Sequence, residues 1–171
     1  VDFCENEARN TEALFILGDL FEYWVGDDAH RHSPFHKEVA RQLKALSDHG
    51  VKLYFMKGNR DFLIGSDFAK QVQWTEIKDP SIVHIAGKDW LLSHGDALCT
   101  ADPGYQRFRK WVRKAWIQNL FFKLPVKLRK RIAQNLRSNS TASYQKTVKF
   151  KPEIANVRAD VTKQACATLV N

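Results

Sequence analysis

Val51-Lys52-Leu53-Tyr54-Phe55-Met56-Lys57-Gly58-Asn59-Arg60-Asp61 is an apolar, β-rich run that gives out at a glycine, followed by a carboxamide, a guanidinium and a carboxylate. The same design occurs on either side of it. Leu14-Phe15-Ile16-Leu17 runs into Gly18-Asp19-Leu20, with Gly26-Asp27-Asp28 shortly after, and Trp90-Leu91-Leu92 runs into Ser93-His94-Gly95-Asp96. Open α/β sheets place their sites at the carboxyl ends of successive strands. Asp19, Asn59 and His94 together are hard-to-borderline donors, suited to Mn²⁺, Zn²⁺ or iron rather than to a thiolate-loving metal.

Around these runs, 171 residues leave room for one domain with a real core, and a hydrophobic content of 44% argues against disorder. Cys4, Cys99 and Cys166 are odd in number and share no metal-type spacing, which points to a reduced, intracellular compartment without a disulfide framework. No stretch approaches the roughly 20 apolar residues needed to cross a bilayer. No signal peptide is legible, and Val1 is not an initiator methionine, so a missing N-terminus is expected. Charge is unevenly spread. Residues 103–152 hold 14 Lys or Arg and no acid, while the rest holds 13 against 19 acidic residues. A basic stretch of this size attracts phosphate-rich partners, an anionic membrane surface or nucleic acid, unless it is simply a solvated helix pair.

Read for secondary structure, residues 1–12 end a helix and enter the first strand. Ser33-Pro34 opens a helix with apolar positions Val39, Ala40, Leu43 and Leu46, and Gly50 stands just past its end. A short helix is expected around Ser66 to Gln71. Ile82 to Ile85, a Gly87-Lys88-Asp89 turn and Trp90 to Leu92 read as a hairpin. The βαβ-style progression predicts helices on both faces of a sheet. After Pro103, Phe108, Val112, Trp116, Leu120 and Phe121 fall at helical spacing. Pro125 then breaks the chain before a second basic helix to Leu136, so residues 103–137 read as an αα-hairpin. Residues 138–150 read as a Ser/Thr/Asn-rich loop, and Pro152 begins a last amphipathic helix.

The order and residue types of GDLFEYWVGDD (18–28), GNRDFLIG (58–65) and SHGDALCTADPGYQ (93–106) resemble the calcineurin-like metallophosphoesterases, and within them the UDP-2,3-diacylglucosamine hydrolase family of lipid A biosynthesis. Most of the superfamily has a histidine after the asparagine; the arginine at position 60 matches this family. The resemblance implies an α/β fold, the four-layer α/β/β/α sandwich with an inserted helical lid. It divides the chain into a core over 1–102, a basic lid and loop over 103–150, and a helix returning to the core over 151–171. It implies cleavage of the diphosphate of UDP-2,3-diacylglucosamine to UMP and 2,3-diacylglucosamine 1-phosphate by a water activated on two Mn²⁺ ions. It also implies a cytoplasmic enzyme, peripheral on the inner face of a Gram-negative inner membrane.

Each site residue has a chemical rationale. Asp19 can bridge two divalent ions, and two-metal sites clamp the attacking and leaving oxygens of an in-line displacement. Asn59 adds an amide oxygen without charge, and His94 an imidazole. Arg60 cannot be a general acid at neutral pH, but its fork can hold a phosphate bidentately. Asn59 and Arg60 are the expected catalytic pair, with Asp61 orienting Arg60 or a ligand. Asp27 and Asp28 read as loop carboxylates, and His30, His32, His36, His49 and His84 as structural or exposed. By resemblance, Asn59, Arg60, Asp102, Ser140 and one of Lys146 or Lys149 contact substrate; Asp102 also suits a helix N-cap. Trp111, Trp116, Phe121, Phe122 and Leu124 suit a chamber for acyl chains or simple packing, and Lys127, Arg129, Lys130 and Arg131 suit anionic headgroups.

The family's opening Asp-x-His pair has no counterpart at the start of this chain, nor its closing Gly-His-x-His at the end. A fragment lacking both ends, weak in metal binding and turnover, is the expectation. The alternatives are another metallophosphoesterase (a nucleotide phosphatase or nuclease) and a non-catalytic basic module for membrane or nucleic acid. No nucleic-acid-binding signature supports the last.

Overall fold

The computed structural model describes residues 2–31, 33–100 and 102–150. The chain divides into two compact units, one ending at Asp79 and the other starting at Pro80. The first begins with α1 (Asp2–Asn6) and a 3-10 turn (Ala8–Asn10) and enters β1 (Ala13–Ile16). There follow α2 (Asp27–His30), α3 (Pro34–Asp48), β2 (Lys52–Met56), α4 (Ser66–Val72) and β3 (Thr75–Ile77). The strands form a parallel sheet in the order β1-β2-β3, with Leu14 opposite Leu53 and Phe55 opposite Glu76. Parallel neighbours need crossover connections, and the helices supply them.

Local signals explain α3. The Ser33 hydroxyl accepts the His36 N–H, Pro34 fills the first helical turn, and Gly50 leaves the helix at a φ of +99°. Ala40, Leu43 and Leu46 are buried, as their spacing predicts. The central strand β2 buries Leu53, Phe55 and Met56, and Phe55 stacks on Trp74 with ring centroids 4.1 Å apart. Phe21, Trp24 and Phe68 make a second aromatic cluster, with Phe21–Trp24 at 4.7 Å and Trp24–Phe68 at 4.9 Å. Among the described residues, every fully buried apolar side chain lies between Ala8 and Trp74. β3 was not legible in the sequence. Thr75-Glu76-Ile77 is too short and too polar to show a period, and pairing with β2 makes it a strand.

The second unit opens with β4 (Ser81–Ile85) and β5 (Lys88–Leu92), an antiparallel hairpin. Its turn is Ala86-Gly87, at φ +52° and +76°, and not the expected Gly87-Lys88-Asp89. Two-residue turns with both φ values positive match the strand twist, so Lys88 and Asp89 already pair with Ile85 and His84. A 3-10 turn (Asp96–Leu98) leads to α5 (Pro103–Val112), α6 (Ala115–Phe122) and α7 (Val126–Phe150).

Three helices thus replace the expected αα-hairpin. The first breaks at Lys114, whose backbone is extended (φ −71°, ψ 130°). The Lys114 ammonium sits over the Trp111 ring at 4.8 Å, and the Gln118 side chain donates to the Val112 carbonyl that the break releases. The loop expected over 138–150 is helical instead. No proline or glycine interrupts residues 126–150, so the Ser, Thr and Asn residues ride on a helix begun by better formers. The helix expected over 151–171 lies outside the described residues.

Candidate active site

In the first unit, two loops leave the carboxyl ends of adjacent parallel strands. After β1, Gly18 and Asp19 adopt φ values of +85° and +55° and turn the chain sharply. Aspartate is among the few side-chain-bearing residues that enter this region readily. After β2 comes the loop Lys57 to Asp61, in which Asn59 is exposed and Arg60 half-exposed. The loops approach so closely that a Cβ on Gly58 would lie 2.5 Å from the Asp19 backbone nitrogen and overlap its carboxylate.

Asp61 holds the two loops together. It is wholly buried and accepts the backbone N–H of Leu20 at 2.8 Å and of Gly58 at 2.9 Å, with a further backbone bond from Asp19. Burial raises its pKa, opposed by those N–H donors and reinforced by the nearby Asp19 charge; the net direction is upward. Asp19 Oδ1 accepts the Arg60 backbone N–H at 3.0 Å, and its Oδ2 lies 3.4 Å from Arg60 Nε. Arg60 Nη1 lies 3.4 Å from Glu22 Oε2, and the Arg60 carbonyl accepts the Trp24 N–H. The structure therefore brings Asp19, Asn59, Arg60 and Asp61 together. Asp61 braces the loop that carries both Asn59 and Arg60 through these backbone bonds.

Asp27 has a clear structural part. Its carboxylate accepts the Gly65, Asp67 and Phe68 N–H groups at 2.9, 3.1 and 3.1 Å, capping α4 from the start of α2, and the Trp24 indole N–H at 3.0 Å. Asp28-Ala29-His30 does carry an Asp-x-His spacing, but in a helix and not on a strand. His30 is buried, stacks on Trp24 at 4.2 Å and accepts the Val25 N–H through Nε2 at 3.2 Å. His36 packs among Phe21, Trp24 and Phe35, while His49 and His84 are exposed. His32 lies outside the described residues.

In the second unit, half-buried His94 follows β5 and precedes Gly95, whose φ is +87°. Asp96, to which sequence reasoning gave no role, gathers three donors on one oxygen. It is 7% exposed, and its Oδ2 accepts from Arg109 Nε at 2.7 Å, the Tyr105 hydroxyl at 3.0 Å and Arg113 Nη2 at 3.3 Å. Burial pushes its carboxyl up, but the Arg109 bond, the Arg109 and Arg113 charges and the Tyr105 hydroxyl outweigh it, so the pKa falls below the usual value. The i, i+4, i+8 spacing of Tyr105, Arg109 and Arg113 was the available signal.

Asp102 caps α5, accepting the Tyr105 N–H at 2.8 Å. Arg129 is a correction. It does not face outward but is 3% exposed, donates through Nε to the Leu124 carbonyl at 3.0 Å and stands 5.9 Å over the Phe122 ring. A guanidinium is weakly hydrated and planar, and here it closes the joint between α6 and α7. Lys127 and Arg131 are exposed, and Lys130 is half-buried. Trp111, Trp116 and Phe122 are exposed; Phe121 and Leu124 are half-buried. Ser140, Lys146 and Lys149 fall in α7, and their side chains lie outside the described residues.

Asp19 and Asn59 are oxygen donors in the first unit, and His94 an imidazole in the second. Among the described residues, no group of three or more His, Cys, Asp or Glu gathers to hold a metal ion. No helix among the described residues is long and apolar enough to cross a membrane.

No family model matches the chain. It is 49% identical over 138 residues to the UDP-2,3-diacylglucosamine hydrolases of Shigella dysenteriae serotype 1 (strain Sd197), Escherichia coli (strain SMS-3-5 / SECEC) and Shigella sonnei (strain Ss046). The match takes in 81% of this chain and 57% of each relative, so the chain spans somewhat more than half the length of the curated proteins it matches. Over that stretch, it is a homologue of the UDP-2,3-diacylglucosamine hydrolases.

Proposed function

We propose that the protein carrying this chain hydrolyses the diphosphate of UDP-2,3-diacylglucosamine in lipid A biosynthesis, releasing UMP and 2,3-diacylglucosamine 1-phosphate. The observation that carries the reading is the 49% identity over 138 residues to proteins of that name. The paired loops after β1 and β2 support it, because they set a carboxylate, a carboxamide and a guanidinium side by side at strand ends.

In this reading the fold is the four-layer sandwich with residues 103–150 as its lid. Asp19, Asn59 and His94 would serve as ligands to two Mn²⁺ ions, the remaining ligands coming from the family's Asp-x-His and Gly-His-x-His motifs, which this chain lacks. Such ions, when bound, supply a water of lowered pKa. Attack at the α-phosphorus forms the new P–O bond of UMP and breaks the bridging bond to the sugar 1-phosphate. Arg60, permanently charged and half-exposed beside Asp19, holds the diphosphate and meets the charge that develops on it. Asp61 keeps the two loops in register. Asp102, Ser140 and one of Lys146 or Lys149 contact the substrate. Trp111, Trp116 and Phe122 meet the acyl chains, while Lys127 and Arg131 meet the anionic inner-membrane surface on its cytoplasmic side.

The test is UMP release from UDP-2,3-diacylglucosamine by the gene product, with and without Mn²⁺. Metal-dependent release supports the reading; no release overturns it and leaves a basic membrane-binding module ahead. Arg60→Ala is expected to lose far more activity on the lipid substrate than on a generic phosphodiester, and equal losses would remove Arg60 from its assigned role.

A further inference from the structure

α5 is an amphipathic helix with no buried residue of its own, so apolar packing does not fix its position. What it has instead is one polar face turned onto the turn that follows His94. Tyr105, Arg109 and Arg113, spaced four apart, all reach Asp96 Oδ2. On the same face, Gln106 Nε2 donates to the carbonyls of Asp96 at 2.9 Å and Cys99 at 3.2 Å. Phe108 and Trp111 are exposed, Trp111 by 54%. The direction in which the aromatic side chains point is therefore set by one carboxylate, two residues after the imidazole.

The carboxylate is not arranged for stability alone. Oδ2 takes three donors, while Oδ1 is buried and accepts no hydrogen bond among the described residues. Burying a charge for ionic contacts commonly gains little stability against an apolar alternative, and its better-attested use is to fix one arrangement among several.

We infer that Asp96 is a positioning residue: it clamps α5 to the loop bearing His94 and so sets where the aromatic and basic face of residues 103–138 meets the acylated part of the substrate. This rests on the functional reading above. The residue acts through α5 and touches neither the diphosphate nor the attacking water. Loosening it therefore weakens recognition of the lipid and leaves the phosphoryl chemistry in place.

The experiment measures kcat and KM of the gene product for UDP-2,3-diacylglucosamine and for bis(p-nitrophenyl) phosphate, comparing wild type with Asp96→Asn, Arg109→Gln and the double variant. For the lipid substrate each single variant is expected to raise KM about tenfold with kcat within about twofold, and the double variant to do no worse than the weaker single. The small phosphodiester is expected to be turned over as by wild type. Equal losses on both substrates, a fall in kcat at constant KM, or additive losses in the double variant would overturn the proposal. Should Asp96→Asn lack a cooperative thermal transition, Tyr105→Phe, which removes the hydroxyl's bond to Asp96 Oδ2, carries the test. A KM two- to threefold higher supports the clamp and an unchanged KM overturns it. No UMP from the wild type would bring down the functional reading and this proposal together; normal wild-type turnover with an unshifted KM in the variants would bring down this proposal alone.

Discussion

Up to Trp74, the chain is organised around apolar side chains: Phe55, Met56, Val25 and Val72 are almost entirely removed from water, and the loops that carry Asp19 and Asn59 hang from that interior. From Pro80 to Ser138, no described apolar side chain is fully buried, and the two buried side chains are charged, Asp96 and Arg129. Burial of apolar area is non-directional, so the first region specifies compactness through many replaceable contacts. Hydrogen bonds to buried charges are few and directional, so the second hangs on single residues. The difference assigns each region its weak point. In the first, loss of volume is costly; in the second, loss of one partner is.

Phe55→Ala should break the first side of that contrast most severely. It removes a fully buried ring stacked on Trp74, and about 3–5 kcal/mol of stability is expected to go with it, read from a thermal or urea transition. Gly58→Ala drives a methyl group into the Asp19 backbone and carboxylate, and separating the loops is expected to cost roughly 1–3 kcal/mol together with activity on any phosphodiester. A variant as stable and active as wild type would show that the close loop approach is unimportant. Arg129→Ala tests the second side. Leaving the Leu124 carbonyl without its donor should cost about 1–3 kcal/mol, expressed as faster amide exchange at the α6–α7 joint with the β1–β3 amides unchanged. Asp27→Ala removes the cap of α4, worth about 1 kcal/mol, with the fastest exchange expected at Gly65, Asp67 and Phe68.

The smallest effect sharpens the comparison by contrasting two ion pairs of similar length. Glu38 and Arg41 meet at 2.6 Å on the surface, Asp96 and Arg109 at 2.7 Å in a buried clamp. The Arg41 and Gln42 hydrogen bonds hold the Glu38 carboxyl down at about 2. A depressed carboxyl contributes stability above its ordinary value of 4.5 that is lost as pH falls toward 2. Because the pair is exposed, Glu38→Gln should leave the thermal midpoint nearly unchanged at neutral pH. A large drop would erase the distinction drawn between surface and buried pairs.

Much of the site was legible in advance because it depends on short, local chemistry. Gly18-Asp19 and Gly58-Asn59-Arg60-Asp61 announce themselves as polar groups after apolar runs, and the structure sets those two loops against each other. The Asp102 cap and the Ser33-Pro34 helix start were also visible, since a cap is decided within four residues. Asp96 and Arg129 were not, because their partners come from across a turn or a helix joint. The capping role of Asp27 is not legible in the sequence, since its partners on α4 are nearly 40 residues away. The break at Lys114 has no local signal either: no proline or glycine marks it, and a cation over an indole and a side-chain amide stabilise it.

Residue order alone determined the α/β class, the strand-end placement of Asp19, Asn59 and His94, and the separation of an acidic part from a basic one. Periodicity, caps and glycine turns act over a few residues and need no knowledge of the rest. Tertiary structure alone decided which carboxylate braces the loops, which one clamps α5, and which arginine turns inward. A buried charge is settled by what surrounds it in space, and that environment is assembled only when distant segments meet.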